Sequence, residues 1–128
     1  MKTILILFVA FGMNAQSTMF KVGKYNITDF DCHYTVSVNM SAFISSNAYY
    51  VTKRPVISGL IGLGASFLVG MGKEYIYDGM MHKGTKSGLD LDADARGSIV
   101  GGLFSFGIMD TMEKRKAKID SLKYQFNL

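Results

Sequence analysis

Glu74 and Asp78 stand four residues apart, and Asp90 and Asp94 repeat that spacing beyond a short loop. On helices each pair shares one face, where like charges repel by roughly a few tenths of a kcal/mol. Two such pairs drawn together demand a proton, basic neighbours or a bound cation. Lys73, Lys86, Arg96 and His33 are the basic candidates. Ca²⁺ or Mg²⁺ is the metal such a set would take, because hard cations choose oxygen ligands. In that reading Glu74, Asp78, Asp90 and Asp94 hold the cation and His33, the candidate catalytic residue, acts as base. The competing reading is an acidic face solvated around a loop. His82, within the loop, is the weaker of the two histidines.

Several better-known motifs fail. Gly70-Met-Gly-Lys73 lacks the earlier glycine of a phosphate loop, and Glu74 stands where Ser or Thr would hold magnesium. Gly62-Leu-Gly64 runs on to Phe67 where a dinucleotide fingerprint needs Gly or Ala. Asp90, Asp92 and Asp94 open like an EF-hand, but Ala95 replaces the turn glycine and Gly101 the closing Glu. There is no HExxH and no GxSxG. Cys32 is the sole cysteine, so no internal disulfide forms, and a small buried hydrophobe is its expected role.

Positioning those groups falls to a chain of 128 residues. Met1 to Ala15 carries one Lys, an apolar run from Ile4 to Met13 and a small residue before Gln16. That is the layout of a cleaved secretory signal, with a run too short to span a bilayer. It leaves residues 16–128 as a single domain, and predicts an exported protein, periplasmic or membrane-associated. No Cys follows the signal, so attachment through a lipidated cysteine is not expected. The formal charge of +4 and the lack of a basic stripe interleaved with aromatics argue against nucleic acid.

After a short lead-in to Ile27, Thr28 followed by Asp31 has the form of a capping box. Tyr34, Val36, Val38 and Met40 alternate like a strand, yet Tyr34, Val38, Ala42, Ser45 and Tyr49 line a helical face. About 20 residues without Gly or Pro favour helix. Lys53-Arg54-Pro55 breaks it, and proline suits the first turn of the next. Pro55 to Gly72 contains no charge over 18 residues. Ser58, Gly62, Ser66 and Gly70 recur at every fourth position there, a stripe over which another helix can approach closely. A second uncharged, glycine-rich stretch covers Gly97 to Met109, and a charged tail follows with Lys114, Arg115, Lys116 and Lys118.

Eighteen helical residues rise about 27 Å, close to the hydrocarbon thickness of a bilayer. Two features favour a buried core helix over a membrane hairpin. The second apolar stretch is too short to return across, and Lys53-Arg54 would fall on the wrong side after a cleaved signal.

The string from Gly70 to Gly101 resembles the small bacterial envelope proteins of the YfiM-like lipoprotein group. Gly72, Lys73, Glu74, Asp78, Asp90, Asp94, Gly97 and Gly101 match the group's pattern over about 70 residues. His33 matches a histidine near the start of its first helix. The resemblance implies a helical fold and an envelope location, and supplies no activity.

The sequence therefore predicts an all-α small helical bundle. Its helices lie near 30–51, 55–78 and 90–109, with a basic C-terminal helix after them. Gly97 and Gly101 pack on the Ser58/Gly62/Ser66/Gly70 stripe, and the four carboxylates converge at one end. The leading function is a structural or interaction role in the cell envelope, with an envelope protein, the membrane surface or a second copy of the chain as partner. A metal-dependent hydrolase acting on a lipid or cell-wall component is the first alternative, and a small membrane hairpin the second. The enzyme requires His33 within roughly 3–6 Å of the carboxylates. The interaction role requires only that the acids cap and solvate helix ends.

Overall fold

The computed structural model describes residues 20–22, 25–81 and 87–126. The expected signal segment 1–15 and the loop residues His82 and Lys86 lie outside them. The fold is all-α, three helices preceded by one short hairpin. In the hairpin β1 (Phe20–Val22) pairs antiparallel with β2 (Tyr25–Ile27), with Lys21 opposite Asn26. Helix α1 spans Asp29–Thr52, α2 spans Pro55–Gly72, and α3 spans Gly88–Phe126. Between α2 and the loop the chain continues as a π-helical segment, Lys73–Met80.

The ends follow local chemistry. The Thr28 side chain accepts from the Asp31 backbone N–H while the Asp31 carboxylate accepts from that of Thr28, a complete capping box. Lys53 closes α1 in the left-handed region at φ 54°, and Pro55 opens α2. Two expectations are corrected here. The glycine-rich helix and the basic C-terminal helix are one unbroken α3, since Asp110 and Thr111 contain nothing that stops a helix. The helix expected to run to residue 78 changes to π geometry at Lys73.

The packing is the reverse of a water-soluble bundle. Among the described residues, the buried hydrophobic side chains are Met40, Ala93 and Met109 alone. The rest of the interior is serine, glycine and charge. Ser41 Oγ donates to the Ser98 carbonyl (2.8 Å), Ser98 Oγ to Ser66 Oγ (3.0 Å), and Ser66 Oγ to the Ser37 carbonyl (3.0 Å), so a chain of hydroxyls links all three helices. Many large apolar side chains are exposed: Leu60 is 63% exposed on α2, Leu68 66%, and Leu103 62% on α3. The expectation that 55–72 forms a buried core helix is thus overturned; only its Ser58, Gly59, Gly62, Ser66 and Gly70 face is buried. Pro55–Met80 is long and apolar enough to cross a membrane.

Glycines set the helix contacts, with partners other than those expected. A Cβ on Gly97 would lie 2.4 Å from the Tyr34 carbonyl oxygen, and one on Gly101 2.2 Å from that of Val38. Both therefore pack on α1, not on the α2 stripe. Gly62 of that stripe also meets α1, at the Ser41 carbonyl and Ser45. From the stripe, Ser66 and Gly70 do meet α3, at Ser98 and Asp94, and Gly59 beside the stripe meets Gly102. Glycine and serine are required because backbones this close leave no room for larger side chains.

Candidate functional site

Asp29, His33 and Ser37 follow each other at four-residue intervals on α1 and therefore share a face. That face meets the first turns of α3, which present Asp90 and Asp94 inward. The π segment completes the site. Its wide turn carries both Glu74 and Asp78 to the interior, where they are buried. The four carboxylates and His33 converge at one end of the bundle, as the sequence predicts.

His33 Nδ1 lies 3.1 and 3.2 Å from the two Asp94 carboxylate oxygens, and Ser37 Oγ donates to Asp94 Oδ1 at 2.7 Å. His33 Nε2 faces the other way, 3.2 Å from Lys73 Nζ and 3.8 Å from Asp90 Oδ2. The Lys73 ammonium also reaches Glu74 Oε1 (2.9 Å) and Asp78 Oδ2 (3.0 Å), so its three protons have three acceptors. Glu74, only 1% exposed, accepts from the Ser87 backbone N–H at 2.8 Å through its second oxygen. Ser87 caps α3 in turn, its Oγ accepting from the Asp90 N–H at 3.3 Å.

The compensation demanded by the acidic pairs therefore comes from Lys73 and His33. Arg96, another candidate, is exposed and pairs with Asp92 at 2.9 Å. The four site carboxylates outnumber the cations facing them among the described residues by at least two, even with a protonated His33. This excess, with the Asp94 hydrogen bond as its main cause, raises the His33 pKa above the usual histidine value against burial and the Lys73 charge. Burial likewise pushes the Asp90 carboxyl above the ordinary carboxylate range.

The expected metal ligands divide differently from the way the sequence grouped them. Lys73 stands between Glu74 and Asp78, where the metal reading places a cation. Asp29, His33 and Asp90 instead offer three ligand atoms within 4.8 Å of one another. Asp29, Ser37 and Ser87 are site residues the sequence did not assign. The first two were signalled by their four-residue spacing about His33; Ser87 gave no signal beyond its place before α3. Cys32, expected to be buried, is only half-buried.

Chemically, the arrangement is a histidine held through one nitrogen by a buried carboxylate, with its other nitrogen beside an ammonium. Asp94 fixes the Nδ1–H tautomer and stabilises the imidazolium, leaving Nε2 as the nitrogen that can take or give a proton. Lys73, less buried than its partners, adds a positive charge next to that nitrogen. Compared with known proteins, the chain matches no family model, no curated protein and no solved structure.

Proposed function

We propose that this protein is set in a membrane as a helical bundle and carries an acid–base site at the edge of its apolar surface. There it hydrolyses or transfers a group on a lipid or another envelope component. The exposed apolar side chains run along α2 from Val56 to Val69 and α3 from Ile99 to Met112, with Val36, Phe43, Tyr50 and Val51 beside Asn39, Ser46 and Asn47 on α1, leaving His33, Asp90 and Asp94 outside. Covering that band with lipid resolves the packing. Small residues and interhelical hydroxyl bonds are how helices associate in lipid. The likeness of Gly70–Gly101 to the YfiM-like group supports an envelope setting.

The single observation that carries the chemistry is the His33–Asp94 pair, whose other nitrogen, Nε2, lies beside the Lys73 ammonium. It meets the distance an acid–base enzyme requires. The carboxylates are buried, which is not what solvated helix caps require. In the proposed step Nε2 withdraws a proton from water or a hydroxyl as its oxygen attacks the carbon or phosphorus of an ester, Lys73 stabilises the negative charge that develops, and the imidazolium returns the proton to the ester oxygen that departs as its bond breaks. A hard cation on Asp29, His33 and Asp90 would take His33 out of base duty and polarise the substrate instead.

A second reading keeps the structural role. The cluster's described contacts are largely internal, as expected of a polar lock that fixes helix register. The two separate when the full chain, reconstituted with a bacterial lipid extract, is assayed for new products by mass spectrometry. The enzyme reading expects product from the wild type and a loss of about 100-fold or more in His33→Gln and Asp94→Asn variants of unchanged helicity. Identical lipid profiles with and without wild-type protein would leave the lock as the function.

A further inference from the structure

At the opposite end of the bundle from the carboxylates, the chain gathers cations. The α1–α2 turn places Lys53 and Arg54 there, both exposed. Helix α3 leaves the bundle at the same level, where the Tyr49 hydroxyl donates to the Glu113 carboxylate, and it runs on through Lys114, Arg115, Lys116 and Lys118. We propose that this end is a seat for anionic lipid headgroups, a proposal that rests on the membrane reading above.

Three observations point to that occupant. The outward apolar face of α3 does not stop with the bundle: Ile108 and Met112 continue into Ile119, Leu122 and Phe126 at spacings of four, seven, three and four, all exposed. Such spacing keeps them within one arc of the helix. Second, the arc is edged by lysine on both sides, Lys116 and Lys123 along one border and Lys118 along the other, with Arg115 within it. Glu113 and Asp120 lie off it. A second copy of the chain would meet this seam with like charge, whereas phosphate headgroups meet it with opposite charge and acyl chains meet its apolar centre. Third, the stripe continues the lipid-facing band, so one medium covers both. Basic side chains at the end of an apolar band reach the headgroup layer while their stems remain against the hydrocarbon.

The test places the full chain in lipid nanodiscs of phosphatidylcholine alone, or with about a third phosphatidylglycerol, and follows trypsin cleavage at Lys123. The seat predicts cleavage roughly 10-fold slower in the anionic discs, with the difference erased by high salt. In the variant Lys114→Gln/Arg115→Gln/Lys116→Gln/Lys118→Gln, cleavage at Lys123 should become nearly independent of lipid. Equal wild-type cleavage in both discs would overturn the headgroup seat alone. Protection by added polyglutamate but not by phosphatidylglycerol would overturn it in favour of an acidic protein partner. A chain that fails to remain with either disc on gel filtration would overturn the membrane reading and this proposal with it.

Discussion

The chemistry of the site turns on one carboxylate. Asp94 accepts from both His33 and Ser37, and it supplies the main cause for the raised histidine pKa. Because the folded pKa lies above the unfolded one, His33 contributes stability that is fully present below the ordinary value of about 6.5 and is lost as pH rises through the folded value. The melting temperature of the detergent-solubilised protein should therefore fall as pH is raised from about 6 upward, and His33→Gln should flatten that slope. A wild-type slope that survives the substitution would assign the titration to another group. Much of this site is legible in the sequence, since the acidic spacing and His33 are visible as types and positions. Lys73 is legible as one of four basic candidates but not as the one that Glu74, Asp78 and His33 share, because a lysine beside a glutamate in sequence is ordinarily solvated. It becomes a bridge because Glu74 and Asp78 are buried together on the π segment that Lys73 opens.

Elements are governed here by how closely backbones approach. The capping box at Thr28 and the proline start of α2 were readable, because each is a local hydrogen-bond or torsion requirement. The glycine pairing was not. Gly97 and Gly101 have the same spacing whether they face α1 or α2, and only the three-dimensional arrangement places them on Tyr34 and Val38. Nor could the sequence reveal that Ser37, Ser41 and Ser45 form the inner face of α1, since in water that face would be the outer one. Two neighbouring glycines test the contact. A Cβ at Gly62 would fall 2.4 Å from the Ser41 carbonyl oxygen, whereas at Gly64 there is nothing within 4 Å. Gly62→Ala should cost about 1–3 kcal/mol, and Gly64→Ala should gain up to about 1 kcal/mol from helix propensity. Thermal unfolding of both variants in the same detergent checks the pair; equal effects would remove the case for close approach at Gly62.

For the whole molecule, the sequence argument against a membrane counted α2 as the first crossing. With α1 beside it in one bundle, the sign of the charge rule reverses. Lys53, Arg54 and the α3 cations share one end, and under the proposed membrane reading the positive-inside rule directs that end to the cytoplasm and the carboxylate site outward. The export signal expected from the sequence, if cleaved ahead of α1, would direct the site end the same way. Cys32, half-buried near the site, reports on this orientation. Partial burial and the neighbouring Asp29 and Asp31 raise its thiol pKa, so labelling calls for mildly alkaline pH. An impermeant thiol reagent should modify Cys32 in intact spheroplasts, while Ser121→Cys in a Cys32→Ser background should react only after lysis. The opposite pattern would place the site in the cytoplasm.

An apolar exterior over a serine, glycine and carboxylate interior needs cover, and lipid is the cover proposed. Washing membranes from cells that produce the full chain at alkaline pH tests this most directly, because such treatment releases proteins held by charge and retains those embedded in hydrocarbon. The account predicts that the protein stays with the sedimented membranes. Its recovery in the supernatant as a folded helical species would contradict the account and require other protein chains to cover the apolar faces of α2 and α3.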